Sequence, residues 1–178
     1  MLAHAHHGHD KRHRLLRALD TSGVEHLWLS GYTVNWETGK PLTGKPVKDG
    51  KAHTHCSAFV AAIAMRLNVY ILRPPEHGTV LLANAQGYWL RDVGAGRGWR
   101  PLLDERQAQA RADAGELVVA SYINPDPAVS GHIAFVRPDS GLAALEIAQA
   151  GHHNFARGTM DQGFGTRRWR VHFYAHAL

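Results

Sequence analysis

The sequence predicts an α+β domain, with helices in the first two thirds and an antiparallel sheet in the last. Three observations carry this. An apolar run of helical period starts near Cys56, strand-like segments crowd the stretch after Glu116, and the 178 residues show no internal repeat or second domain. A chain of this length can bury a working core without disulfide or metal staples.

The elements follow in order. Residues Met1–Asp10 contain four histidines and read as a frayed end, with disorder expected to about residue 12. Leu15, Leu16 and Leu19 mark one face of a short helix that stops at Gly23. Ser30–Lys51 is rich in Gly, Pro and Lys and reads as a long surface loop with one short strand. The clearest helix begins at Cys56: Phe59, Ile63 and Leu67, with Val60 beside them, recur every three or four residues, and Thr54 is placed to cap it. After the break at Pro74-Pro75 come a second short helix over Thr79–Ala85, a glycine-rich loop over Asp92–Gly98 and a polar helix over Asp104–Asp113. Strands are expected at Glu116–Tyr122, His132–Val136, Ala143–Gln149 and Arg168–Tyr174. The last would set Trp169, Val171 and Phe173 on one face and its arginines, with Arg167, toward solvent.

Composition narrows the function. Hydrophobic residues make up 44% and charged residues 20%, the proportions of a soluble globular protein. No apolar run approaches the ~20 residues of a spanning helix, so no membrane span is expected. With one cysteine, no intrachain disulfide can form. A net charge of +5 and a pI near 9.7 predict attraction to an acidic partner, such as an anionic wall or membrane surface. The clusters Lys11–Arg14 and Arg167–Arg170 form neither a recognition helix nor an aromatic RNA-binding signature, so no nucleic-acid partner is expected. The fourteen histidines show no H-E-x-x-H or comparable ligand spacing, and neither a metal nor a cofactor is expected. Gly94-Ala95-Gly96-Arg97-Gly98 lacks the Lys-Ser/Thr of a phosphate loop and is expected to be a plain loop, or to rim a cleft with Trp99. Trp28, Trp36, Trp89 and Trp169 are expected in the core or in a cleft wall.

One pair of residues could carry covalent chemistry. Cys56 lies in the first turn of its helix, where backbone N–H groups favour negative charge, and a nearby histidine would lower the thiol from its usual ~8.5. The same N–H groups can hold an oxyanion. Against this stands the commoner fate of a lone cysteine, a small buried hydrophobe. His132 follows Gly131 and opens a strand, which is expected to put its ring at a sheet edge. If the chain reverses in the turn Pro138–Gly141 about Ser140-Gly141, position 149 lies opposite position 132, with Cβ atoms ~4.5–5.5 Å apart. Gln149 would then orient the imidazole, completing a nucleophile–base–orienter set. A longer turn or a bulge would bring Ala148 or Ala150 there instead, and Glu146, His152, His153 and Asn154 are rivals for the role.

These residues carry a resemblance. T-H-C-S-A-F-V-A-A-I-A (Thr54–Ala64) resembles the D/N-C-S-G-F-V nucleophile helix of NlpC/P60-type cell-wall peptidases, and G-H-I-A-F-V (Gly131–Val136) resembles their G-H-V-A-I-V histidine strand. E-L-V-V-A before the histidine and a polar residue ending the next strand complete the pattern over residues 54–151. Within that superfamily the chain looks closest to peptidoglycan amidase effectors of type VI secretion. His55 stands where Asp or Asn is usual, and Ala58 where Gly is usual. Residues 1–50 match nothing in the pattern.

The resemblance implies a papain-like NlpC/P60 core, with the nucleophile helix packed on an antiparallel sheet in a single domain. It implies a cysteine amidase or endopeptidase, without metal, that cuts amide bonds of peptidoglycan stem peptides through Cys56, His132 and Gln149. It also implies secretion or a periplasmic location, and an immunity protein as a candidate partner. No apolar leader follows Met1, so export is expected by a route that needs none, or after a leader's removal. Two alternatives keep part of the picture: a thiol acyltransferase or transglutaminase-like enzyme with the same dyad, and an inactive module that binds wall peptides.

Overall fold

The chain is an α+β protein built on one six-stranded, wholly antiparallel sheet. A computed structural model describes residues 2–138, 141 and 144–178, with side chains from residue 8 onward. In chain order the elements are α1 (Leu2–Asp20), α2 (Cys56–Arg66), α3 (Leu82–Asp92), a 3₁₀ turn (Gly94–Arg97), β1 (Trp99–Leu102), α4 (Glu105–Asp113), β2 (Leu117–Tyr122), β3 (His132–Val136), β4 (Glu146–Gln149), β5 (Phe155–Thr159), α5 (Met160–Phe164), a second 3₁₀ turn (Gly165–Arg170) and β6 (His172–His176). The strand order is β1-β6-β2-β3-β4-β5, which makes β2 and β3 the centre of the sheet.

Both central strands are buried along their whole length, and alternate residues feed two cores. Leu117, Val119, Ile133, Phe135 and Ala148 face the layer of α1, α2 and α3. Val118, Ala120, Ala134, Val136 and Ile147 face Ala108 and Ala112 of α4 and Met160 and Phe164 of α5. Helix α2 is buried from Cys56 to Ala64, as an apolar helix with no polar face must be. Phe59 anchors it, with edge-on ring contacts to Trp28 at 5.3 Å and Phe135 at 5.8 Å. Burying such a ring contributes about 1.5–3 kcal/mol.

The N-terminal segment is tied into this frame. Arg137, at the end of β3 and fully buried, reaches Asp20 Oδ1 at the end of α1 (2.6 Å) and the carbonyl of Ala156 in β5 (2.7 Å). No helix among the described residues is long and apolar enough to cross a membrane.

Several expectations are corrected. Helix α1 begins at Leu2, so the histidine-rich start continues the helix of Leu15 and Leu19 instead of fraying. The residue capping α2 is His55, not Thr54, and no side chain closes the cap. Helix α3 starts three residues later than Thr79 and runs on to Asp92. The last strand starts at His172, because residues 165–170 wind into a 3₁₀ turn; Trp169 is 84% exposed, neither core nor cleft wall. Trp99 is buried in β1, with its Nε1–H on the Tyr70 carbonyl, and rims no cleft. The expected turn at Pro138–Gly141 and the start of the third strand at Ala143 fall partly outside the described residues. Strand β4 begins at Glu146.

Candidate active site

Helix α2 packs across β3 and brings its first residue to that strand's first residues. Cys56 is 2% exposed, and the nearby backbone N–H groups of Ile133, Ser57 and Cys56 itself favour the charged form of its sulfur. His132, the residue before Ile133, is buried at 7% exposure. Its ring stacks edge-on against Phe164 of α5 at 4.8 Å. No hydrogen bond joins the thiol to the imidazole.

His132 Nε2 lies 2.7 Å from Gln149 Oε1. The amide is oriented by its other end, since Gln149 Nε2 donates to the His153 carbonyl at 3.0 Å. Its oxygen is therefore the atom facing the ring, and an oxygen only accepts. The proton sits on His132 Nε2, which leaves Nδ1 with a free lone pair. The hairpin register differs from the expected one by two residues: Phe135 faces Ala148, not Glu146. An even displacement keeps every side chain on its own face, so Gln149 still reaches His132, as a diagonal neighbour.

The rivals' side chains make no hydrogen bond to the His132 ring. Asn154 spends its amide on the carbonyls of Val24, Leu27 and Trp28 and its oxygen on the Gly151 N–H. His153 offers Gln149 only its carbonyl, His152 is exposed, and Glu146 pairs with Arg157 at 3.5 Å.

Burial governs the electrostatics. It pushes the Cys56 thiol up from its ordinary value, against the smaller opposing pull of the N–H groups and Arg167. Burial also drives the His132 imidazole down to about 4, opposed by the Gln149 hydrogen bond and reinforced by the charges of Arg167 and His152. The lowered thiol expected at a helix start is thus overturned, because loss of water outweighs the N–H groups. At rest the thiol and the imidazole are both neutral.

Two adjoining clefts lie here, one at His132 and one at Cys56. One, of about 330 Å³, is lined by His132, Gln149, Gln162 and Arg167. The other, of about 540 Å³, is lined by Cys56, Ser57, His53, Val80 and Leu81. They share Ala52, Thr54, Val129 and Ser130 as a common wall. That wall is held from α3: Asn84 donates to the Val129 carbonyl (2.9 Å) and accepts from the Asn124 N–H (2.9 Å). His55, standing where the resemblance has Asp or Asn, donates through Nε2 to the Tyr32 carbonyl at 2.7 Å and ties the Ser30–Lys51 loop to the start of α2. Leu81 and His53 have left-handed backbones (φ 54° and 44°), an arrangement costly for such side chains and common at working sites.

Arg167 and Asn84 are the residues that sequence reasoning missed. Arg167 was expected on the solvent face of a strand, and only the 3₁₀ turn brings it to the cleft. Among the described residues, no group of three or more His, Cys, Asp and Glu converges as metal ligands would. No family model matches the chain, and no curated protein sequence matches it.

Proposed function

We propose that the protein is a cysteine-dependent amidase or endopeptidase with a papain-like core, acting on amide bonds of peptidoglycan stem peptides. The observation that carries this reading is the bond from His132 Nε2 to Gln149 Oε1, which leaves Nδ1 as the basic nitrogen of the ring. The peptidoglycan substrate rests on the resemblance of Thr54–Ala64 and Gly131–Val136 and on the net positive charge.

In this mechanism the neutral thiol gives its proton to His132 Nδ1 as the sulfur attacks the amide carbonyl. Proton transfer accompanies attack, since burial disfavours a preformed ion pair. The developing oxyanion is held by N–H groups at the start of α2. The imidazolium then protonates the leaving amine, and water, activated by the same nitrogen, releases the acyl group from the thioester.

Digesting purified peptidoglycan and weighing the fragments tests the reading. New amino and carboxyl ends on stem peptides, with glycan strands uncut, are expected. Released reducing ends with unchanged peptides would overturn it. The near-complete burial of Cys56 favours a second reading, acyl transfer, because a shielded thioester survives to meet an amine. Added glycinamide would then appear on the released acyl fragment in place of water.

A further inference from the structure

The cleft beside His132 holds an arginine without an acid. Arg167 lines it together with Gln149 and Gln162, and no Asp or Glu is among its lining residues. Several arginines of the chain have carboxylates: Arg168 has Glu105 and Asp161, Arg137 has Asp20, Arg91 has Asp92, and Arg100 and Arg111 share Glu116. Others, such as Arg66 and Arg73, use a carbonyl or a ring instead. Arg167 has none among the described residues. Its Nε–H donates to the Phe164 carbonyl at 3.1 Å, and its guanidinium carbon lies 5.6 Å from the centre of the Tyr122 ring. Those contacts orient the group and engage one of its five N–H donors, leaving the terminal fork uncommitted.

A solvated surface charge is the bland account of such a residue. Two features speak against it. Arg167 is exposed, but its Nε–H bond and ring contact orient the guanidinium, and the place they set it is the wall of the His132 cleft. There the charge also works against catalysis, because a nearby cation disfavours the imidazolium that His132 must become. An anion arriving with the substrate would cancel that penalty.

We propose that Arg167 binds a substrate carboxylate on the His132 side of the scissile amide, which makes carboxylate-bearing peptides the preferred substrates. The inference rests on the amidase reading for its substrate, yet binding alone can test it. The fork geometry of guanidinium and carboxylate suits a two-point contact, and its loss should cost on the order of tenfold or more in affinity.

The test uses the full chain carrying Cys56→Ala, so that ligand is bound and not consumed. The probes are the tripeptide L-alanyl-γ-D-glutamyl-L-lysine and its forms amidated at the glutamyl α-carboxyl, at the C-terminal carboxyl, or at both. Calorimetry should show that amidating one of the two carboxyls weakens binding tenfold or more. Arg167→Gln in the same background should bring the free acid to the amidated level and leave the amidated form unchanged, and Arg167→Lys should recover part of the difference. Equal binding of all four peptides, no binding of any, or a preference that survives Arg167→Gln would overturn the proposal. The expected pattern without turnover by the unaltered protein would instead leave the carboxylate site standing and remove the amidase reading.

Discussion

Gln149 faces His132 with the only end of its amide that accepts a hydrogen bond, because the other end is spent on the His153 carbonyl. The pairing sets the tautomer as well as the angle of the ring. Gln149→Ala should therefore lower kcat far more than it raises KM, by up to about 10²-fold, the loss lying in geometry and not in substrate binding. His132→Ala should cost more, since general-base catalysis itself contributes ~10²–10⁴-fold. A Gln149→Ala enzyme with full kcat would dismiss the orienting role.

The pH dependence follows from burial of the imidazole. His132 is neutral down to about 4, so kcat/KM should hold its plateau through the mildly acidic range and fall only near that value. The Gln149 hydrogen bond raises this pKa and the Arg167 charge lowers it, so Gln149→Ala should move the acid limb further down and Arg167→Gln should move it up. An acid limb near the ordinary histidine value would contradict the buried, neutral ring.

Folding stability carries the same signature. Unfolded, His132 takes up a proton near 6.5; folded, only near 4, so between these values the unfolded chain binds more protons. The contribution is full above 6.5 and is lost as pH falls toward 4, on the order of 3 kcal/mol across the window. Urea titrations at pH 7 and pH 5 should show the loss, and His132→Gln should flatten it.

The thiol should behave as a buried group. Burial pushes its pKa up, so iodoacetamide should react more slowly with it than with free cysteine, speeding up as pH rises. Cys56→Ala should abolish cleavage and keep the fold. A folded Cys56→Ala protein that still cut amides would end the nucleophile assignment.

Two glycines are required by close approach. A methyl group at Gly131 would press into the Tyr122 carbonyl and Asn84 Oδ1, and one at Gly163 would meet Ile147 and come within 2.6 Å of Gln149 Oε1. Gly131→Ala should cost ~1–3 kcal/mol of stability, as overpacking does. Gly163→Ala should in addition push Gln149 aside and reproduce the kinetic defect of Gln149→Ala. Unaltered kcat in a folded Gly163→Ala enzyme would show that Gln149 tolerates the shift.

What was readable in the sequence was whatever local pattern alone decides. The helix at Cys56, the strand opening at His132 and the polar helix ending at Asp113 stand where their patterns predict. Edge elements were hidden. The β1 strand, W-R-P-L, contains a proline that only an edge strand tolerates, and β5, F-A-R-G-T, shows no alternation because it is only half-buried. The alternation of Trp169, Val171 and Phe173 imitated a strand, but Arg168 is drawn to Glu105 and Asp161 and the chain winds instead. The contact of Gln149 with His132 was foreseen from a register two residues out, and it held because side-chain direction depends only on parity.

The three carbonyls that Asn154 grips belong to residues 24–28, and Arg137 clasps Asp20 within the sheet. The first fifty residues, which resemble nothing in the matched pattern, are therefore no detachable appendage. A fragment trimmed to residues 54–151 would lose Asn154 altogether, leave Arg137 without its carboxylate and unroof Phe59 where Trp28 now lies. Modularity ends at that seam, and the chain has to be inherited, expressed or redesigned as one piece.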